Sequence, residues 1–128
     1  MQRSVITRAL KLTPNSAPMH HNLGEVYRRI GQLPQAISEY QKAIALHPRY
    51  SNAHHHLALV YSTMGSPAQA REHFQLALTH DPKHSKAHQN FGTFLIELGE
   101  HEQSERMYRQ AIAIRPDYWL THSNLLFS

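Results

Sequence analysis

Apolar residues in this chain recur at intervals of three and four, which is the spacing of one face of a helix. One such run begins at Leu23 and breaks at Gly31; a second begins at Ala36 and stops before Pro48. Glycine adopts the left-handed conformation that ends a helix without steric cost, and proline cannot continue the helical hydrogen bonds. The pattern therefore predicts two helices joined by a turn so short that they must pack as antiparallel neighbours.

The same pattern returns when the chain is shifted by 34 residues and by twice that number. The coinciding positions include a leucine or phenylalanine, a small residue, a glycine, an aromatic residue and a proline: Leu23, Leu57 and Phe91; Gly24, Ala58 and Gly92; Gly31, Gly65 and Gly99; Tyr40, Phe74 and Tyr108; Pro48, Pro82 and Pro116. A fixed period of this length is typical of a stacked array of helix pairs.

The small residues Gly24, Ala58 and Gly92 predict the places where two helices approach closely. The large aromatic residues of each period are expected to fill the space between units. The aromatic residues at Tyr40, Phe74 and Tyr108 could instead form a ligand-stacking stripe, but this spacing favours a core between repeats.

These positions resemble the signature of the tetratricopeptide repeat, with histidine in place of its tryptophan in every unit. The resemblance implies an all-α, right-handed α-solenoid of antiparallel helix pairs with about eight helices. Its predicted bounds are a second helix of a preceding unit at 1–16, three repeats at 17–50, 51–84 and 85–118, and the first helix of a fourth unit at 119–128.

Composition narrows the class of protein only slightly. The chain of 128 residues has a formal net charge of +4 and no cysteine, which excludes disulfides and thiolate metal sites. Its basic residues are scattered among acids, and no apolar run is long enough to span a bilayer. We therefore expect neither a nucleic-acid nor a membrane partner, and a cytoplasmic protein.

The family resemblance also implies which residues line the inner face of the array. The sixth positions of successive units are Asn22, His56, Asn90 and Asn124, and an amide can donate to and accept from the backbone of an extended peptide. This column is similar to the asparagine ladder in the repeats of O-linked N-acetylglucosamine transferase. Neighbouring positions that would set side-chain preference are His21, His55, Glu25, Arg28, Arg29, Lys86 and Gln89. Solvated polar residues without a ligand are the alternative interpretation.

Three functions remain open at this stage. The first is a non-catalytic scaffold that binds an extended segment of a protein or peptide partner. The second is the substrate-recognition part of a protein O-glycosyltransferase, which the short segment from Thr121 to Ser128 also resembles. The third is end-to-end self-association through apolar residues near the C-terminal end, such as Leu125 and Phe127.

Twelve histidines are the most unusual feature of the composition. His20, His54, His88 and His122 recur with the period, and equivalent positions in adjacent repeats lie too far apart to share a metal, so we expect them to pack with one ring nitrogen hydrogen-bonded. Consecutive side chains of the run His54 to His56 fan out around a helix. We predict no metal site, no cofactor and no catalytic residue, and we expect carboxylates such as Glu25 to keep ordinary pKa values on an open face.

Overall fold

The structure is a computed structural model in which residues 16–116 are described. Six α-helices lie within this range: α1 (Ala17–Arg29), α2 (Leu33–Leu46), α3 (Ser51–Thr63), α4 (Pro67–His80), α5 (Ser85–Glu97) and α6 (His101–Ile114). The part of the chain from 16 to 116 contains no strand, so the all-α prediction is confirmed there. The two further helices predicted at 1–16 and 119–128 lie almost entirely outside the described residues.

The helices pack in sequence as pairs, and the chain divides between His80 and Asp81 into two compact units. In the first unit, α1 packs on α2, α2 on α3 and α3 on α4, and α1 also contacts α3. In the second unit, α5 packs on α6. Within residues 16–116, the first unit therefore contains two helix pairs and the second unit one.

Each first helix of a pair ends in the same turn. Gly31, Gly65 and Gly99 have φ values of 81°, 76° and 80°, in the left-handed region that favours glycine. In the first of these turns, the Gln32 N–H donates to the Tyr27 carbonyl at 2.9 Å and the Gly31 N–H donates to the Arg28 carbonyl at 3.2 Å. This paired capping pattern satisfies carbonyls that the end of a helix leaves without partners.

The close approach predicted at the small residues is present. A Cβ atom on Gly24 would lie 2.6 Å from Cε1 of Tyr40, and one on Gly92 would lie 2.9 Å from Cε2 of Tyr108. Tyr40 and Phe74 are both fully buried, whereas Tyr108 is half-buried. Gly24 and Gly92 thus make room for the aromatic ring of the second helix in the same pair.

The periodic histidines are packing residues, as predicted for those within the described range. His20, His54 and His88 are 7%, 4% and 5% exposed. The His54 Nε2–H donates to the Pro48 carbonyl at 3.0 Å, and the His88 Nε2–H donates to the Pro82 carbonyl at 2.9 Å. His122 lies outside the described residues.

Candidate functional site: a polar cluster between α1 and α3

The predicted groove residues of the first unit come from α1 and α3, which pack side by side. Five polar or aromatic side chains meet there, and we call them the α1–α3 cluster: His21, Glu25, Arg28, Tyr40 and His56. Four of them belong to α1 or α3, and Tyr40 reaches the cluster from α2. Burial decreases from Tyr40 to Arg28: Tyr40 is fully buried, His21 is 9% exposed, and the Arg28 side chain is 30% exposed.

Glu25 is the centre of the charge network in this cluster. Arg28 holds its carboxylate with two hydrogen bonds, Nε to Oε1 at 3.1 Å and a terminal guanidinium nitrogen to Oε2 at 3.0 Å. The Tyr40 hydroxyl donates a further short hydrogen bond to Oε1. Such bidentate contacts with arginine fix both the position and the plane of a carboxylate.

The electrostatic environment keeps Glu25 ionised. Burial alone would raise the pKa of this carboxyl, but hydrogen bonds from Arg28 and Tyr40, with the attraction of His56 and Arg28, lower its pKa to about 2. The expectation of an ordinary pKa on an open face is therefore wrong for Glu25, because neighbours from α1, α2 and α3 surround it. A carboxylate held so firmly in its charged form is suited to binding a positive group.

Two histidines from different repeats form the other half of the cluster. His21 Nε2 and His56 Nδ1 lie 2.8 Å apart, and their rings stack with centroids 5.0 Å apart. At this distance one nitrogen donates and the other accepts, so the pair holds a single proton between the rings. Burial lowers the pKa of His21, although Glu25 partly offsets this effect. His56 Nδ1 also lies 3.4 Å from Glu25 Oε1.

Sequence reasoning placed these residues on one face but missed that they converge. Within the run His54 to His56, His54 contacts His73 of α4 and His56 contacts His21 of α1, as expected for side chains that fan out. The rings of His55 and His56 nevertheless stack, with centroids 5.0 Å apart. Only a contact between neighbouring repeats brings His56 to Glu25. His21 and His56 are 35 residues apart in the sequence, one more than the repeat period. This separation is the signal that could have predicted their contact.

The other predicted groove residues differ in exposure. Asn22 and Arg29 of α1 are exposed, whereas His55 of α3 is only 2% exposed and contacts the ring of Phe74. In the second unit, Lys86 is exposed, and Gln89 and Asn90 are half-buried. Asn124 lies outside the described residues. The role of this set in binding a peptide stays a prediction.

In the described part of the second unit, the positions of α5 that correspond to His21, Glu25 and His56 carry uncharged side chains. Thr93 occupies the repeat position of Glu25, and its hydroxyl forms a 2.5 Å hydrogen bond with the hydroxyl of Tyr108. Gln89 occupies the position of His21, and Asn90 that of His56. The same repeat fold thus places two amides and a hydroxyl at these three positions of α5.

Comparison with known proteins identifies the family. A model of the tetratricopeptide repeat matches residues 15–83 and 51–117, which together cover most of the chain. The chain belongs to the tetratricopeptide repeat family. This fold suggests a scaffold for protein–protein interaction. No curated protein matches the chain in sequence.

Solved structures of this repeat fold are similar to the chain over most of its length. A crystal structure of MamA is 26% identical with a TM-score of 0.78, covering 88% of this chain and 66% of that one. The pilF protein of Pseudomonas aeruginosa is 28% identical with a TM-score of 0.74, covering 79% of this chain and 46% of that one. The chain therefore spans less than two thirds of either neighbour.

No helix within residues 16–116 is long and apolar enough to cross a bilayer.

Proposed function

We propose that this tetratricopeptide repeat chain binds an extended segment of a protein partner, and that the α1–α3 cluster with the exposed amide of Asn22 is its main contact surface. The observation that carries the proposal is the cluster itself, in which charged and hydrogen-bonding groups of two adjacent repeats are oriented by contacts with one another. Side chains held in place before binding lose less conformational entropy when a ligand arrives.

The chemistry of the cluster divides recognition into two parts. Amides such as Asn22 and, in the second unit, Asn90 can donate to and accept from a peptide backbone whatever its side chains are. Glu25 and the pair of histidines can select a side chain, and the carboxylate, which is ionised at neutral pH, favours a cationic one. The exposed Arg29 and Lys86 favour an acidic residue elsewhere in the partner.

The proposal is tested with peptides selected from a random library of unstructured sequences by binding to the whole chain. The affinity of a selected peptide is measured by fluorescence anisotropy for the chain and for Asn22→Ala/Asn90→Ala. The matched control is Gln69→Ala/Gln110→Ala, which removes two exposed amides from the second helices α4 and α6. We expect the first variant to bind at least about tenfold more weakly, which corresponds to about 1.4 kcal/mol, and the control to bind normally. Equal affinity of all three proteins for the peptide would rule out the Asn22 and Asn90 amides as contacts.

The alternative of a substrate-recognition part of a protein O-glycosyltransferase stays a prediction. It depends on the amide column and on residues from Thr121 to Ser128, which lie outside the described range. Self-association through Leu125 and Phe127 concerns residues outside it too, and a cytoplasmic location likewise stays a prediction. Light scattering over a range of concentrations tests self-association, because a constant mass would contradict it.

A further inference from the structure

We infer that His21, Glu25 and His56 form a binding site for a divalent transition-metal ion, with Zn²⁺ as the best-fitting ion. One ligand atom of each residue lies within 4.8 Å of the other two. Two imidazole nitrogens and one carboxylate oxygen are a ligand set that zinc uses when a fourth position is left for water or substrate. The inference does not depend on the proposed peptide binding.

Two of the three distances between the ligand atoms are close to those around a tetrahedral ion. Bonds of about 2.0–2.1 Å at tetrahedral angles place neighbouring ligand atoms about 3.3 Å apart. His56 Nδ1 and Glu25 Oε1 are already 3.4 Å apart. His21 Nε2 and His56 Nδ1, now 2.8 Å apart, need to separate by only about 0.5 Å to reach that spacing.

Proton balance is simple at neutral pH. Each neutral imidazole has one N–H and one lone pair, and the hydrogen bond between the rings uses one of each. When an ion binds His21 Nε2 and His56 Nδ1, the ring that donated must move its proton to its other nitrogen. Both rings stay neutral, and no net proton is released. Below the pKa values of the histidines, the ion has to displace protons, so its affinity falls with acidity.

The surroundings of the carboxylate support a site of modest affinity. Arg28 and Tyr40 hold Glu25 in place through hydrogen bonds, as outer-sphere groups commonly hold a ligating carboxylate. The positive charge of Arg28 opposes a cation, so we expect micromolar affinity rather than a permanently bound ion. The side chains of His56 and Glu25 are 20% and 19% exposed, which leaves a solvent-facing position for a fourth ligand.

A competing chelating pair exists at the start of α5. His84 and His88 are four residues apart; His84 Nδ1 accepts from the Ala87 N–H at 3.1 Å, and His88 Nε2 donates to the Pro82 carbonyl. The lone pair of His84 is therefore used by the helix cap, whereas His88 keeps a lone pair on Nδ1, so the two rings cannot both bind an ion while the cap is in place. His84→Asn removes this pair while retaining a good helix N-cap, which makes it a matched control.

The test is titration of the whole chain with CoCl₂ and with ZnCl₂. Visible absorption of Co²⁺ reports tetrahedral coordination, and competition with a chromogenic chelator reports zinc affinity. The test variants are His21→Gln and His56→Asn, which install the residues that the third repeat carries at Gln89 and Asn90. These exchanges keep side chains that the fold already accommodates.

We expect one equivalent of Co²⁺ to give an intense visible spectrum with the unsubstituted chain and with His84→Asn. His21→Gln and His56→Asn should each lose this spectrum and weaken zinc binding at least about tenfold. Zinc should also raise the melting temperature of the unsubstituted chain more than that of either variant, because an ion that binds the folded state stabilises it. Unchanged zinc affinity in both variants, or loss of the spectrum in His84→Asn, would overturn the inference.

Discussion

The first and third helix pairs share a backbone design but differ in the groups that they place on it. Tyr40 and Tyr108 occupy the same repeat position, and each hydroxyl bonds to the residue 15 positions earlier. That residue is Glu25 in the first pair and Thr93 in the third. In the second pair, the two positions are the apolar Phe74 and Leu59. The aromatic ring thus serves packing in every pair, while its hydroxyl is present only where a polar neighbour is available.

Buried histidines show the same contrast. His20 Nδ1 donates to Glu39 Oε1 at 2.7 Å, and His54 Nδ1 accepts from His73 Nδ1 at 3.1 Å. The residue 19 positions after His88 is Met107, and among the described residues the buried Nδ1 of His88 has no hydrogen-bond partner. The same periodic histidine thus has a carboxylate, an imidazole or a thioether at the facing position in the three repeats.

The largest expected effect comes from filling the space beside the two tyrosines. Gly24→Ala should lower the free energy of unfolding by about 1–3 kcal/mol, because the new methyl group would overlap the fully buried ring of Tyr40. Gly92→Ala should cost less, because Tyr108 is half-buried and further away. Urea denaturation measures both. A larger loss for Gly92→Ala would contradict the comparison.

Removal of the Tyr40 hydroxyl should lower the free energy of unfolding more than removal of the Tyr108 hydroxyl, because only Tyr40 bonds to a charged group. Tyr40→Phe takes one hydrogen bond from a half-buried carboxylate and should cost about 1 kcal/mol. Tyr108→Phe removes a bond to the exposed Thr93, whose hydroxyl can turn to water, and should cost less. Equal losses in urea denaturation would show that the charge on Glu25 adds nothing to the bond.

Acid should destabilise the protein, and the first unit more than the second. Burial lowers the pKa of His21, His54 and His73 in the first unit, and of His84 in the second. The unfolded chain then binds more protons than the folded one just below the ordinary histidine pKa of about 6.5. Stability is therefore full above that pH and decreases as the pH falls.

The measurement is hydrogen exchange of the whole chain in EDTA at pH 7.5 and 5.5, corrected for the intrinsic rate of exchange. Helices α1, α3 and α4 should lose more protection than α5 and α6. His54→Gln is a useful comparison, because it removes one titrating group and should reduce the difference in the first unit. Equal loss of protection in all six helices would contradict the assignment of these pKa shifts to the first unit.

The smallest effect is expected from copying one feature of the first pair into the third. Met107→Glu places a carboxylate where Glu39 stands relative to His20. If the pairs share their geometry, the new carboxylate bonds to His88 only when both ring nitrogens carry protons, because Nε2–H already donates to the Pro82 carbonyl and a carboxylate only accepts. Stability relative to the unsubstituted chain should then rise by about 0.5–1 kcal/mol at mildly acid pH. Met107→Gln is the uncharged comparison, whose amide N–H can donate to the Nδ1 lone pair at neutral pH. No gain with either variant would show that this pair does not share the geometry of the first.

The sequence was sufficient to predict the helix pairs, because their signals are local or strictly periodic. Gly31 and Pro48 end helices through their own backbone chemistry, and Gly24 and Tyr40 recur with the period. The α1–α3 cluster could not be predicted in the same way. It depends on which rotamers bring His56 of one repeat to His21 of the preceding one, and on Tyr40 reaching Glu25 from a third helix.

The most direct test of the account follows the side-chain amide and imidazole NMR signals during titration with a selected peptide. We expect the signals of Asn22, His21 and His56 to shift and to saturate with one common Kd, while those of Gln69 and Gln110 stay in place. If the signals of Gln69 and Gln110 move while those of Asn22 and His56 do not, the partner binds the second helices, and the proposed binding surface is wrong.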